Sequence, residues 1–436
     1  MQKPELLAPA KNLERLKVAV TYGADAVYVG GQNYGLRARA DNFTDAELVQ
    51  AVAFAHRHGA KVYITLNAFL HDADFEGLMD YCQWLEAIGV DAAIVSDLGV
   101  IRTIRANSNL DIHLSTQASC LNTYAAQVWQ SLGVKRAIVG RELSVAEAGS
   151  IRERVGIEVE MFAHGAMCMA YSGHCTISNF TAGRDSNRGG CIQSCRLPYR
   201  IEGNGEQGTG NGVEGRGQGA EGRGGREGEE QNDRVTFMSS KDLWGIRQIG
   251  EFFRHRICSV KIEGRMKSSF YVAMTCRAYR RLIDDYAAGC LTDDRMNEIA
   301  AELESVPHRD YCSGSLDAAA GSDSIFGQLS GINTGTYQAL GMVMEKTPEK
   351  IVVRLLEPLN LGDEVEVVPV EGEPIRWKIH QFFSVTGEGL RQMRKDGIVC
   401  IPREDAIANW SAIAKLNVVR RKAIDSQPQA AAIASP

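Results

Sequence analysis

Residues 22–30 read YGADAVYVG, and this stretch sets the pattern from which the fold follows. Gly23 sits where a helix would end, and Ala26–Gly30 is a short, nearly continuous apolar run with no polar alternation. A strand of that kind is buried on both faces, as in a parallel sheet covered by helices. Working outward, the same grammar recurs every 20 to 35 residues or so. It appears at Glu5–Ala8, Lys61–Asn67, Ala92–Asp97, Asp111–Thr116, Arg136–Arg141, Glu158–His164 and Ser259–Glu263. Segments with helical spacing lie between the runs. Asn12–Tyr22 puts Leu13, Leu16 and Val20 on one face, and Thr44 followed by Glu47 has the spacing of a capping box. Gly23, Gly59, Gly89 and Gly133 fall where helices should stop.

Strand–helix alternation repeated about eight times predicts an α/β fold, and eight units favour a (β/α)₈-type barrel. A further candidate strand at Arg234–Ser239 leaves the closure open, with a doubly wound open sheet as the alternative. No GxGxxG turn follows the first strand to support that alternative. The barrel is expected to occupy residues 1–320. Twelve of the 28 residues from Gly203 to Glu230 are glycine, with almost nothing apolar between them, so residues 203–230 read as a disordered, solvated insertion. From Thr336 the spacing changes to alternating runs such as KIVVRLLEP and PIRWKIHQFFS between Gly, Pro and Asp turns. Residues 336–420 therefore predict a small C-terminal antiparallel β-barrel. Residues 422–436, rich in Ala, Gln and Pro, read as a flexible tail.

The chain of 436 residues is 44% apolar and 23% charged, an ordinary globular balance. No apolar run is long enough to span a bilayer, and the N-terminus lacks the basic-then-apolar layout of a signal peptide. The expectation is a cytoplasmic protein with no membrane partner. A net charge of −6 does not advertise a nucleic-acid binder, so any contact with RNA would have to use a local basic patch.

Seven of the eleven cysteines are scattered singly, as small buried hydrophobes usually are. The other four, Cys168, Cys175, Cys191 and Cys195, fall within 28 residues after the seventh strand, spaced C-x6-C-x15-C-x3-C. Four thiolates from one loop system suit a [4Fe–4S] cluster or a tetrahedral zinc ion. The C-x2-C knuckles of zinc ribbons are missing, which favours the cluster. In a (β/α)₈ barrel the active site lies at the C-terminal ends of the strands. Those ends carry Asn67, Asp97, Ser115 with Gln117, Arg141 with Glu142, His164, and Glu263 with Arg265. Asp97 stands before a helix and reads as its cap. Lys261, Arg265 and Lys267 would place cations at the barrel mouth, suited to a carboxylate or phosphate. Arg277, Arg280 and Arg281 follow on the next helix, where a solvated face and RNA contact explain them equally well.

The stretch EMFAHGAMCMAYSGHCTIS, Glu160 to Ser178, resembles the signature of the collagenase-like peptidase family of unknown catalytic type. PELLAPA near the N-terminus, YGADAVYVG, IHLSTQ and VKIEGRMKS resemble that family too, over roughly residues 1–320. MSSKDL (238–243), HRDY at His308 and the C-terminal β-region are similar to its bacterial tRNA-hydroxylating branch. The resemblance implies a prephenate-dependent hydroxylation of wobble uridine in tRNA to 5-hydroxyuridine. It also implies a [4Fe–4S] cluster held by Cys168, Cys175, Cys191 and Cys195. In some relatives the fourth ligand follows the KDL motif, where this chain has Trp244. tRNA and a small carboxylate donor would be the partners, with rRNA or a ubiquinone precursor as other possible substrates. Arg265 and Lys267 would hold the donor, Arg141 and Gln117 would line the substrate site, and His113, His164 and Glu263 would move protons. Peptide hydrolysis, which the family name suggests, has neither an HExxH helix nor a GxSxG elbow behind it.

Overall fold

A computed structural model of the chain describes residues 2–36, 42–200, 234–325, 334–404 and 407–423. The glycine-rich stretch 203–230 and the tail from 424 onward lie outside the described residues.

Eight parallel strands close a barrel: β1 (Glu5–Pro9), β2 (Ala26–Val29), β3 (Lys61–Leu66), β4 (Ala92–Val95), β5 (Asp111–Leu114), β6 (Arg136–Ile138), β7 (Glu158–Ala166) and β8 (Ser259–Ile262). Ser259 of β8 pairs with Glu160 of β7 on one side and Glu5 of β1 on the other, which completes the ring. Each predicted strand run is therefore a barrel strand. Residues Arg234–Val235 pair only with Tyr199–Arg200, apart from the barrel, so the extra candidate does not enter the ring.

Helices α1 (Leu13–Thr21), α2 (Asp45–Arg57), α3 (Leu78–Ala87), α4 (Leu98–Asn107), α5 (Thr123–Ser131) and α6 (Val145–Val155) follow strands β1 to β6 in turn. Their boundaries follow the local chemistry. Thr44 and Glu47 form the capping box of α2, Ser144 and Glu147 that of α6, and Asp97 accepts from the amides of Gly99 and Val100 at the start of α4. Two short helices, α7 (Ile177–Ala182) and α8 (Ile249–Arg254), lie between β7 and β8. The long α9 (Ser269–Ala288) and α10 (Asp293–Glu304) follow β8.

Near the N-terminal ends of the strands the barrel interior holds a buried ion network. Arg136 contacts Glu5 at 2.6 Å, Glu158 at 2.9 Å and Glu160 at 3.2 Å, and Lys261 meets Glu160 at 2.8 Å. Buried charges persist only when paired in this way.

Beyond residue 336 an eight-stranded antiparallel sheet curls around Val353, Trp377, Phe382 and Trp410. It docks on the barrel through α1 and α9. The Tyr22 hydroxyl donates to the Val368 carbonyl at 2.7 Å and accepts from the Val418 amide at 2.9 Å. Arg277 donates to the Pro369 carbonyl at 3.0 Å and pairs with Glu302 at 2.7 Å. Arg280 pairs with Asp25 and Asp284, and Arg281 with Glu302. Arg277 is thus buried in an internal pair, which neither a solvated face nor RNA contact describes, while Arg280 and Arg281 are partly exposed and paired with nearby carboxylates. Among the described residues no helix is long and apolar enough to cross a membrane.

Candidate active site at the barrel mouth

Strand β7 has nine residues and runs past the rim, where residues 164–166 pair antiparallel with Asp242–Trp244. The chain then loops over the C-terminal mouth through residues 167–198. Several contacts pin this loop. Gly173 has φ +79° and lies so near the Gln117 carbonyl that a Cβ there would stand 1.9 Å from the oxygen. The Glu142 carboxylate accepts from the Ser172 amide at 2.8 Å and hydroxyl at 3.0 Å. Asn187 donates to the Cys175 carbonyl at 3.1 Å, and Arg188 anchors the loop to Asp74 at 2.8 Å. Arg196 donates to the carbonyls of Met167 and Ser240, tying the segment after Cys195 to the segment before Cys168.

Beneath this loop lies a cavity of about 200 Å³ whose wall includes Cys168, Cys175, Cys191 and Cys195. Burial raises the Cys195 thiol above its ordinary range; Arg196 lowers it, and Cys168, Cys191 and Cys175 each raise it further. Among the described residues no three His, Cys, Asp or Glu side chains converge on a point that could hold a single metal ion.

The same lining carries cations. Lys261 lies over the rings of Tyr28 at 4.6 Å and Phe162 at 5.4 Å, and Arg141 lies 4.0 Å over Phe162. Arg141 Nη1 is 3.9 Å from Cys168 Sγ. Arg265 reaches across the mouth to Thr65 Oγ1 at 3.2 Å. Glu263 accepts from the Tyr28 hydroxyl at 3.2 Å, and burial followed by that carboxylate holds the Tyr28 phenol well above its ordinary range. Asn67 bonds Ser115 at 3.2 Å, and Gln117 completes the rim.

Residues 11–325 match the sequence profile of peptidase family U32. The chain belongs to that family. It is 41% identical to "tRNA hydroxylation protein P1" of Bacillus subtilis (strain 168), covering 90% of each chain. It is 33% identical to "tRNA hydroxylation protein P" of Escherichia coli (strain K12), covering 91% of this chain and 93% of the relative. A third relative, "23S rRNA 5-hydroxycytidine C2501 synthase" of Escherichia coli, is 31% identical over 84% of this chain and 52% of its own length. The family suggested by the cysteine signature is the one the comparison finds.

In this U32 chain the pocket gathers the four cysteines, Gln117, Arg141, Glu263 and Arg265 from the residues singled out in the sequence. His113, His164 and Lys267 are not part of its lining. His113 sits one layer down inside the barrel, edge-on to Tyr63 at 4.7 Å; burial, then Arg136 and Lys261, hold its pKa well below the ordinary value. His164 points away because of a register shift. Lys261 pairs with Phe162 but Ile262 pairs with His164, so Ala163 is an extra residue. The inward alternation of Glu160 and Phe162 breaks there, and His164 packs among Tyr271, Tyr279 and Tyr311 instead. Burial lowers its pKa to about 3. Lys267 lies over the Tyr271 ring at 5.1 Å and reaches the Pro307 carbonyl at 3.4 Å, and burial lowers its pKa. Residues not singled out beforehand include Tyr28, Phe162 and Arg196. Arg196 directly follows the fourth cysteine, a position that was available as a signal.

Proposed function

We propose that this U32 protein hydroxylates RNA at the barrel mouth, with wobble uridine of tRNA as substrate and prephenate as hydroxyl donor. The observation that carries the proposal is the pocket itself, whose lining brings four cysteines together with Arg141, Lys261 and Arg265. Relatives that span nearly the whole chain are named for tRNA hydroxylation, and a further one for hydroxycytidine synthesis in rRNA. The thiols fit a [4Fe–4S] group. Four thiols in the lining of one pocket suit a group whose four irons each take one thiolate. Cys168, Cys175, Cys191 and Cys195 would hold the cluster, which would supply an electrophilic, redox-active centre beside the substrate.

This chain's own residues would bind and orient. Arg265 and Arg141 offer planar guanidinium forks for the two carboxylates of the donor. Lys261 adds positive charge at the pocket floor, already engaged by Glu160 and two rings. Glu263, hydrogen-bonded to Tyr28, is the carboxylate placed to take or return a proton within the pocket. Gln117, at the rim, can pair with an edge of the base. Peptide hydrolysis by a thiol needs a base beside it, and among the described residues no histidine lines this pocket.

Disruption of the gene, followed by mass spectrometry of tRNA nucleosides, tests the proposal. Loss of 5-hydroxyuridine-derived nucleosides, restored by the wild-type gene and not by a Cys191→Ala copy, is expected. An unchanged nucleoside profile would overturn it.

A further inference from the structure

Large apolar side chains are exposed in the loop that covers the pocket and in segments next to it. Tyr171 is 54% exposed, Phe180 on α7, three residues after the pocket residue Ile177, is 88% exposed, and Met169, Leu197 and Met266 are also exposed. Tyr171 and Met169 line the pocket edge, and Leu197 and Met266 directly follow the pocket residues Arg196 and Arg265. An exposed apolar rim around a polar pocket marks a surface that meets something. Cations lie beside it. Arg141, Arg184 and Arg196 make no ion pair with a carboxylate among the described residues, although nearly every other charged side chain on α9 and in the barrel floor is paired.

Resting on the RNA reading above, we propose that Tyr171 and Phe180 form a stacking platform for the unpaired nucleotides flanking the base that enters the pocket. Arg184 would hold a phosphate of the same strand. The pocket lies beneath a loop at the barrel mouth, so a base reaches it only if its nucleotide leaves the stack. Its neighbours then lose a stacking partner, and flat exposed rings restore one without regard to sequence. A cation that no carboxylate neutralises answers the phosphate charge locally, which a chain of net charge −6 cannot do as a whole. The platform selects single-stranded loops and rejects duplex.

The test is fluorescence anisotropy with the anaerobically purified full-length protein and two labelled RNAs, a hairpin with an unpaired loop and a fully paired duplex of equal length. Wild type should bind the hairpin in preference to the duplex. Phe180→Ala and Tyr171→Ala should each weaken hairpin binding roughly fivefold or more, with unchanged thermal unfolding. Phe180→Trp, and Val385→Ala at an exposed valine on the C-terminal sheet, should bind as wild type does. If Phe180→Ala and Tyr171→Ala bind the hairpin normally, the platform is wrong while RNA binding stands. If wild type binds neither RNA, the platform and the RNA reading fail together. If Phe180→Ala instead abolishes self-association and leaves RNA affinity intact, the patch is a contact between copies and the platform is overturned.

Discussion

Replacing Gly173 by alanine should loosen the cysteine loop far more than the same change at Gly183, ten residues along the same segment. Both glycines have left-handed backbone, with φ of +79° and +61°. Either substitution therefore costs about 1 kcal/mol for placing a side chain in that region. At Gly183 nothing lies within 4 Å of the added Cβ, so the cost ends there. At Gly173 the Cβ would stand 1.9 Å from the Gln117 carbonyl oxygen, where ordinary contact begins at 3.4 Å. The neighbour is backbone and cannot swing aside, so the loop must lift by about 1.5 Å. That displacement breaks the bonds from Ser172 to the Glu142 carboxylate, at 2.8 and 3.0 Å. Two bonds to a charged acceptor contribute about 3 kcal/mol together. The difference between the two variants is thus about 3 kcal/mol, or roughly a hundredfold in the population of the opened loop. Limited proteolysis between Cys168 and Cys195, at protease levels where cleavage follows the open population, measures it. Faster cleavage of Gly173→Ala by that order, and loss of bound iron in that variant alone, are expected. Equal cleavage of the two variants would refute the packing argument.

Three further outcomes can be checked independently. Glu160→Gln should destabilise the protein by about 3–5 kcal/mol in urea unfolding, because it takes the carboxylate partner from Lys261 in the barrel interior, while Arg136 keeps Glu5 and Glu158; adding Lys261→Met should recover part of the loss. The His164 pKa of about 3 lies below the ordinary unfolded value of about 6.5, so the unfolded chain takes up the proton first and stability falls as pH drops below that value. Between pH 7.5 and 5.5 His164 should account for about 1.4 kcal/mol of lost stability, an increment that His164→Phe should lack in paired denaturation curves; His113 acts in the same direction and remains in both proteins. Tyr22→Phe should lower stability by about 2 kcal/mol, since it leaves the Val368 carbonyl and Val418 amide without their partner, and calorimetry should show the C-terminal sheet loosening first.

The barrel was legible because its strands are buried on both faces and so announce themselves as apolar runs, from Glu5–Ala8 to Ser259–Glu263. The caps at Thr44 and Asp97 were legible because their chemistry is local. The four cysteines could be grouped because one loop carries them all. What stayed hidden depended on non-local register. His164 is two residues beyond an inward-facing phenylalanine, and only the extra residue Ala163 turns it toward α9. Lys267 follows Arg265 by two positions, yet one reaches Thr65 in the pocket while the other lies over Tyr271 behind it. The arginines of α9 could not be read because their partners, Glu302 and the Pro369 carbonyl, come from distant segments. Glu142 looked like one more polar strand end, and its hold on Ser172 appears only when the loop folds back over the mouth.

The most direct measurement of the central claim is hydroxylation by the purified protein. Anaerobically prepared, iron-loaded enzyme would be incubated with tRNA lacking 5-hydroxyuridine derivatives, with and without prephenate, and the nucleosides analysed by mass spectrometry. The account predicts that uridine gains one oxygen atom only when prephenate is present, and that Cys168→Ala abolishes the product. Unmodified uridine with iron-loaded wild type, or equal product from Cys168→Ala, would contradict it.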